Sequence, residues 1–484
     1  MKKGFALGFT SLLATLACSA PALAAEAAKA AAAPDNTKAY ITLGILVVAG
    51  VLFIFELIPL PITAMVVPVS LAVSGVITGH EAFQEFGNDT VILFMAMFII
   101  GESIFKTGFA DKIGKFTTTV SGGNETKLLL MIVLVVGLMS GVLSNTGTVA
   151  VMMPMVIAMC VSSKIAPSKM LIPCAFASSM GGMLTLIGTP PNGSAKMELA
   201  KYVSQVASTA ASGTPIYEMQ FFDYAWFGIP VLAVGLLYYA LIGRHFLTDT
   251  SKRVEAAGDI SDEEGKAAKD AARAKRRPEK MNTSVVIFVL TVLLMVLGDF
   301  KITDKIPVIG FRMPLHVAAM LGVCLIVISK TLTMKEAFES VDYVTIWLFA
   351  GMLSMSTAMS KSGAAKLLAE NITTLSDNPT VVLAAVCLLT QILTNLMSNT
   401  ATAALMCPIA SAMATGMGVS PMPLVLGVAF SASACFLTPI ATPPNTIIFG
   451  PGKYRFLDYA KVGWPLQAIV FVMCVYGIPL IWPW

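Results

Sequence analysis

Two polar motifs each occur twice in this chain, and the two pairs are separated by nearly the same distance. Ser144-Asn145-Thr146-Gly147-Thr148 returns as Ser398-Asn399-Thr400-Ala401-Thr402, and Pro154 and Pro408 each follow ten residues after the first serine. Thr189-Pro190-Pro191-Asn192 returns as Thr442-Pro443-Pro444-Asn445. The offsets are 254 and 253 residues, and Thr90 with Leu93-Phe94 matches Thr345 with Leu348-Phe349 at an offset of 255. Self-similarity at one offset is the mark of structural repetition. The chain therefore folds as two related units.

What surrounds the motifs decides what kind of unit. Residues 128–161 and 380–417 are apolar except for the Ser-Asn-Thr cluster in the middle of each. Across all 484 residues, 56% are hydrophobic and only 12% charged, against about 25% charged in soluble domains. So few charges cannot clothe a water-exposed surface, and lipid is the solvent for most of the chain. Apolar segments lie near 40–60, 62–78, 90–106, 170–187, 223–247, 283–298, 314–330, 343–360, 422–440 and 463–482. They predict an all-α polytopic membrane protein of about 10–11 transmembrane helices, since about 20 helical residues cross the hydrocarbon core. The interrupted stretches differ. Each of their halves is about 16 residues, or about 24 Å of helix, short of a crossing. They predict two re-entrant helical hairpins, whose polar tips must line a protein-enclosed cavity.

The basic residues set a topology. With residues 25–39 outside and each span reversing direction, cytoplasmic stretches hold 21 Lys/Arg, ten of them in residues 244–280, and outside stretches hold nine. That agrees with the positive-inside rule. The first hairpin then enters from the cytoplasm and the second from outside, so the repeats are inverted, an arrangement of many secondary transporters. Repeat 1 is expected over 40–247 and repeat 2 over 283–484. A charged cytoplasmic linker, 248–282, joins them, and the C-terminus is periplasmic. Residues 1–25 read either as a signal peptide, from Lys2-Lys3, an apolar stretch and Ala22-Leu23-Ala24, or as a first transmembrane helix. Cys160, Cys174, Cys324, Cys387, Cys407, Cys435 and Cys474 sit in apolar runs and are expected to be reduced core residues.

The motifs suit anion and cation binding together. A Ser-Asn-Thr tip offers hydroxyl and amide groups without charge and lies where a helix starts, so free N–H groups and the positive dipole end face the cavity. Two such tips could hold the two ends of a small dianion. Thr-Pro-Pro-Asn breaks a span, because proline lacks the N–H, and leaves unwound carbonyls as hard ligands for Na⁺. Ser140 and Thr394, each four residues before a motif serine, place a second hydroxyl one turn below each tip. Glu102 lies within a span, with Lys106 at helical spacing to pair with it. His80, His245 and His316 show no metal-ligand spacing.

With Glu56-Leu57-Ile58-Pro59 and Thr63-Ala64 ahead of them, the paired motifs resemble those of the divalent anion:sodium symporter family, the INDY-like dicarboxylate carriers, over residues 40–484. The resemblance implies a homodimer in the bacterial inner membrane, each protomer with a scaffold and an elevator-like transport domain. It implies Na⁺-coupled uptake of C4-dicarboxylates such as succinate, malate or fumarate, with no organic cofactor. One Na⁺ site would use Ser140, Ser144, Asn145 and the Gly188 carbonyl; the other would use Thr394, Asn399 and carbonyls near Met397 and Ala441. Substrate carboxylates would meet Ser144, Asn145, Thr146, Thr189 and Pro190 from one repeat, and Ser398, Asn399, Thr400, Thr442 and Pro443 from the other. A Na⁺-independent dicarboxylate exchanger, or a Na⁺-coupled sulfate or citrate carrier, is the alternative on the same fold. An enzyme is not expected, because no nucleophile–base pair or metal cluster stands out. A Na⁺/H⁺ antiporter would need a titratable carboxylate at midplane, and neither tip carries one.

Overall fold

The computed structural model describes residues 36–55, 57–109, 112, 117, 119–120, 124–209, 219–250, 277–299, 313–364, 367 and 378–484. The signal-like segment, Glu56 and most of the charged linker lie outside the described residues. The described residues are helical, with no strand. Repeat 1 runs α1 (Thr37–Phe55), α2 (Leu60–Val73), α3 (Gly79–Phe83), α4 (Asp89–Lys106), α5 (Glu125–Ser140), α6 (Asn145–Ser162), α7 (Ser168–Gly182), α8 (Pro190–Thr209) and α9 (Ala225–Leu241). Repeat 2 runs α10 (Met281–Asp299), α11 (Leu315–Ile328), α12 (Met334–Glu339), α13 (Tyr343–Ser362), α14 (Pro379–Thr394), α15 (Asn399–Gly416), α16 (Met422–Ser433), α17 (Pro443–Phe449), α18 (Phe456–Val472) and α19 (Ile478–Ile481).

Each Ser-Asn-Thr tip joins two helices. α5 and α6 meet at residues 141–144, and α14 and α15 at residues 395–398, each leg 16 or 18 residues long. Both proline motifs break a span, between α7 and α8 and between α16 and α17. Among the described residues, four helical stretches are long and apolar enough to cross a membrane: Gly79–Lys106, Pro278–Leu297, Tyr343–Ser362 and Phe456–Ile481. Seven further apolar helices are shorter; two of them are hairpin legs and one, α16, is the buried first half of a broken span.

The repeats exchange partners. α4 packs on α11 and α13 on α2, which are equivalent pairs; α8 packs on α15 and α16, and its counterpart α17 packs on α6 and α7. The correspondence reaches single side chains. Thr78 and Glu81 form a capping box on α3, as Thr333 and Glu336 do on α12, two residue pairs 255 apart in sequence. Each acid then takes a lysine from the other repeat: Glu336 binds Lys106 at 3.1 Å, and Glu81 binds Lys361, again 255 residues on. Lys106 also reaches its expected partner Glu102, at a longer 3.9 Å. Every described ion pair joins residues that the positive-inside topology puts on one side of the membrane. Six of the seven described cysteines are buried and unpaired; Cys324 on α11 is exposed instead, because that helix turns part of its surface outward.

Candidate functional site

Each hairpin tip is built by the same local hydrogen bonds. Ser144 caps α6 by accepting from the Gly147 N–H at 3.2 Å, and Ser398 caps α15 by accepting from Ala401 N–H at 3.2 Å. A serine N-cap satisfies one of the orphan donors of a helix start and leaves the others free. The tip is then tied to the broken span: Thr185 donates to the Gly141 carbonyl, and its mate Thr438 donates to the Asn395 carbonyl at 2.8 Å.

The proline motif owes its shape to its asparagine. Asn192 Nδ2 donates across the break to the carbonyls of Gly182 (3.1 Å) and Thr185 (2.7 Å). Asn445 Nδ2 does the same to Cys435 and Thr438, both at 2.9 Å. A tyrosine holds each asparagine from behind. Tyr224 donates to the Asn192 carbonyl at 2.9 Å and Tyr459 to the Asn445 carbonyl at 2.6 Å. Sequence reasoning quoted both asparagines but gave them no role, and it missed both tyrosines, although Asp223-Tyr224-Ala225 with Gly228 and Pro230 returns as Asp458-Tyr459-Ala460 with Gly463 and Pro465.

Around the first tip, oxygens converge. The Asn145 amide, oriented by its hydrogen-bond network, donates to the carbonyls of Gly188 and Ser178, both at 3.0 Å, and lies 2.5 Å from Ser140 Oγ. The oxygens of Ser140, Ser178 and Gly188 thus converge on one small space around this amide, without a formal charge among them. Close packing enforces this: a Cβ on Gly182 would lie 2.6 Å from Asn145 Oδ1. Ser178 was not among the expected residues; its only sequence signal is its place inside an otherwise apolar span.

The second tip is arranged differently in detail. Thr394 donates to the Ala432 carbonyl at 2.6 Å, and Ala432 lies 254 residues after Ser178. The Asn399 backbone N–H donates to the Ala441 carbonyl at 3.3 Å. The Asn399 side chain, however, accepts from its neighbour Thr400 N–H at 2.9 Å instead of reaching the break. Met397, Thr400 and Thr442 are buried, Ser144 and Ser398 half-buried, and Thr146 and Pro443 exposed. Pro190, half-buried, opens α8. Among the described residues no hydrogen bond joins one tip to the other; α8 and α17 link them by packing.

A cavity of about 70 Å³ opens beside the first tip, lined by Ser144, Gly147 and Ile187 on one side and Phe94, Phe98 and Phe105 on the other. That is several times the space one water needs. The Thr148 and Thr189 hydroxyls nearby in sequence are buried without a partner, and an orphaned buried hydroxyl costs about 1–3 kcal/mol unless something satisfies it. Neutral donors, helix starts and carbonyls in this setting can receive a small anion and a hard monovalent cation; they provide no nucleophile.

Comparison with known proteins agrees with that chemistry. The chain is 27% identical over 455 residues to the sodium-dependent dicarboxylate transporter SdcS of Staphylococcus aureus, covering 88% of this chain and 83% of that one. It is 24% identical to the uncharacterised transporter YfbS of Escherichia coli, covering 91% and 98% respectively. Its fold is similar to the crystal structure of the Alcanivorax borkumensis YdaH transporter, with a TM-score of 0.57 at 14% identity over 92% of this chain and 98% of that one. The profile of the citrate transporter family, CitMHS, matches residues 50–306 and 302–483. The chain thus belongs to the citrate transporter family and is a multi-pass membrane transporter, not an enzyme.

Proposed function

We propose that this transporter takes up C4-dicarboxylates by Na⁺ symport, moving its two hairpins and broken spans as one body against the rest of the protomer, with protomers paired as homodimers. The observation that carries the reading is the convergence of Ser140, Asn145, Ser178 and Gly188 on one uncharged oxygen-lined space beside a polar hairpin tip. The Asn145 amide donates to the surrounding carbonyls and turns, when Na⁺ binds, to add its own oxygen as a ligand. Ser144 and the Gly188 carbonyl complete that site, and Thr394, Asn399 and carbonyls at Met397 and Ala441 form its mate. Substrate carboxylates lie between the tips, held by Ser144, Asn145, Thr146, Thr189 and Pro190 and by Ser398, Asn399, Thr400, Thr442 and Pro443.

Sodium has an energetic reason to be there. A dianion entering a cell held about 100 mV negative inside is opposed by about 4.6 kcal/mol, twice the value for one charge. Two Na⁺ cancel the charge, and their concentration gradient then drives accumulation. The similarity to SdcS, named for sodium-dependent dicarboxylate transport, supports this reading, while the family description makes citrate the competitor to include. The test is uptake of labelled succinate and labelled citrate into liposomes holding the purified protein, with and without an inward Na⁺ gradient. Succinate accumulation that requires the gradient is expected. Uptake indifferent to Na⁺ would identify an exchanger instead.

A further inference from the structure

The repeats part company at α8. It is 20 residues long, where its counterpart α17 has seven. The added length carries Glu198, which is 4% exposed. Its Oε1 accepts from the Ser356 hydroxyl of α13 at 2.7 Å, and Ser411 of α15 also faces the carboxyl group. Its Oε2 is buried with no partner, and so is the hydroxyl of Ser194, one helical turn earlier. Both residues line one small cavity of about 10 Å³ with Phe349, Met352 and Cys407, about the room for a single water.

The nearest cation is already committed. Lys201, one turn beyond Glu198, pairs with Glu85 at 2.9 Å and donates to the Leu353 carbonyl and the Thr357 hydroxyl. Glu85 sits on the short turn after α3. The other titratable group facing Glu198 is the buried thiol of Cys407 on α15; α13 presents Ser356 and apolar side chains, and α16 has no titratable residue. A charged carboxylate in such a pocket is strongly disfavoured without a partner. A metal cation does not fit, because the two free oxygens fall far short of the six or so that a hard cation gathers.

We propose that Glu198 is a proton-binding site: it holds one proton while α8 is seated against α13, and losing that proton favours unseating. The acid form donates from Oε2 through one water to Ser194 and accepts from Ser356 at Oε1, so both carboxyl oxygens and the Ser194 hydroxyl are satisfied. Seating of α8 thereby becomes sensitive to pH independently of which anion is carried.

The test uses the full-length purified protein and needs no substrate. Infrared spectra of wild type minus Glu198→Gln should show the carbonyl stretch of a protonated carboxyl at pH 7, and that band should vanish on raising the pH. The melting temperature of wild type should fall between pH 7 and pH 9, while Glu198→Gln, neutral at every pH, should lack that fall. If Glu198→Gln does not fold, Ser356→Ala takes its place. It keeps the acid but removes a donor that favours the charged form, so the infrared titration should move to higher pH. A featureless difference spectrum, an unshifted titration in Ser356→Ala, or a wild-type pH profile in Glu198→Gln overturns the proposal.

Discussion

Phe94 and Phe349 occupy equivalent positions in the two repeats, and their rings meet edge to face with centroids 5.1 Å apart. Side chains related by a pseudo-twofold operation touch each other only close to its axis, so this pair marks where α4 and α13 cross the centre of the molecule. Gly193 of α8 lies against both rings: a Cβ there would stand 2.6 Å from Phe94 and 3.1 Å from Phe349. Gly193→Ala is expected to cost about 1–3 kcal/mol by overpacking, read as a lower melting temperature in detergent. Adding Phe94→Leu should recover part of it; no recovery would place the clash elsewhere.

The asparagine clamps should be worth more than their size suggests. Asn192→Ala takes a donor from the buried carbonyls of Gly182 and Thr185, and Asn445→Ala from those of Cys435 and Thr438, at about 1–3 kcal/mol for each group left unsatisfied. Tyr224→Phe and Tyr459→Phe each remove one hydrogen bond, about 1 kcal/mol. Melting curves of the four variants should therefore rank the asparagines as the more damaging in both repeats.

Asn145 and Asn399 are expected to differ. Asn145→Ala removes the amide that reaches Ser140, Ser178 and Gly188, and should raise the Na⁺ concentration for half-maximal uptake by about tenfold or more, the equivalent of about 1.4 kcal/mol. Asn399 bonds its own neighbour, so Asn399→Ala should shift the Na⁺ requirement less than Asn145→Ala while also weakening substrate affinity at saturating Na⁺. Sodium titrations at fixed succinate separate the two; wild-type behaviour of either variant would remove that residue from the site.

The Lys106–Glu336 link should withstand mild acid. Burial pushes the Glu336 carboxyl up, but the Thr333 backbone N–H and the Lys106 ammonium outweigh it and hold the group down at about 2. An acid depressed on folding stabilises above its unfolded value, about 4.3, and loses that contribution as the pH falls toward its folded value. Partial exposure limits the pair to about 1 kcal/mol. Replacing Glu336 with Gln should thus lower the melting temperature slightly and equally at pH 7 and pH 5, with the difference closing only below about pH 4.

Much of this architecture was open to reading because its cause is local. Ser144 and Ser398 announce a helix start wherever they occur, and a tip in the middle of an apolar run has only one way to exist in a membrane. The Thr78–Glu81 and Thr333–Glu336 boxes, 255 residues apart, were equally readable and would have tied the repeats together at a fourth point. Tyr224 and Tyr459 sit in a repeated Asp-Tyr-Ala motif whose offset is 235 residues rather than 253–255, so a search at the common offset passes over them. Glu198 was hidden for another reason. Lys196, Glu198 and Lys201 give α8 the composition of a surface helix, and only packing against α13, α15 and α16 shows that the carboxyl faces inward.

The unequal lengths of α8 and α17 bear on energy rather than shape. In a carrier made of inverted repeats, the inward-open and outward-open forms are images of one another, obtained by exchanging the conformations of the two halves. Were the halves identical, the images would have equal free energy and the empty carrier would rest on both sides equally. Thirteen residues of α8, Glu198 and Lys201 among them, have no counterpart in α17. On the proposed alternating mechanism their contacts favour one image over the other, which would give the empty protein a preferred side.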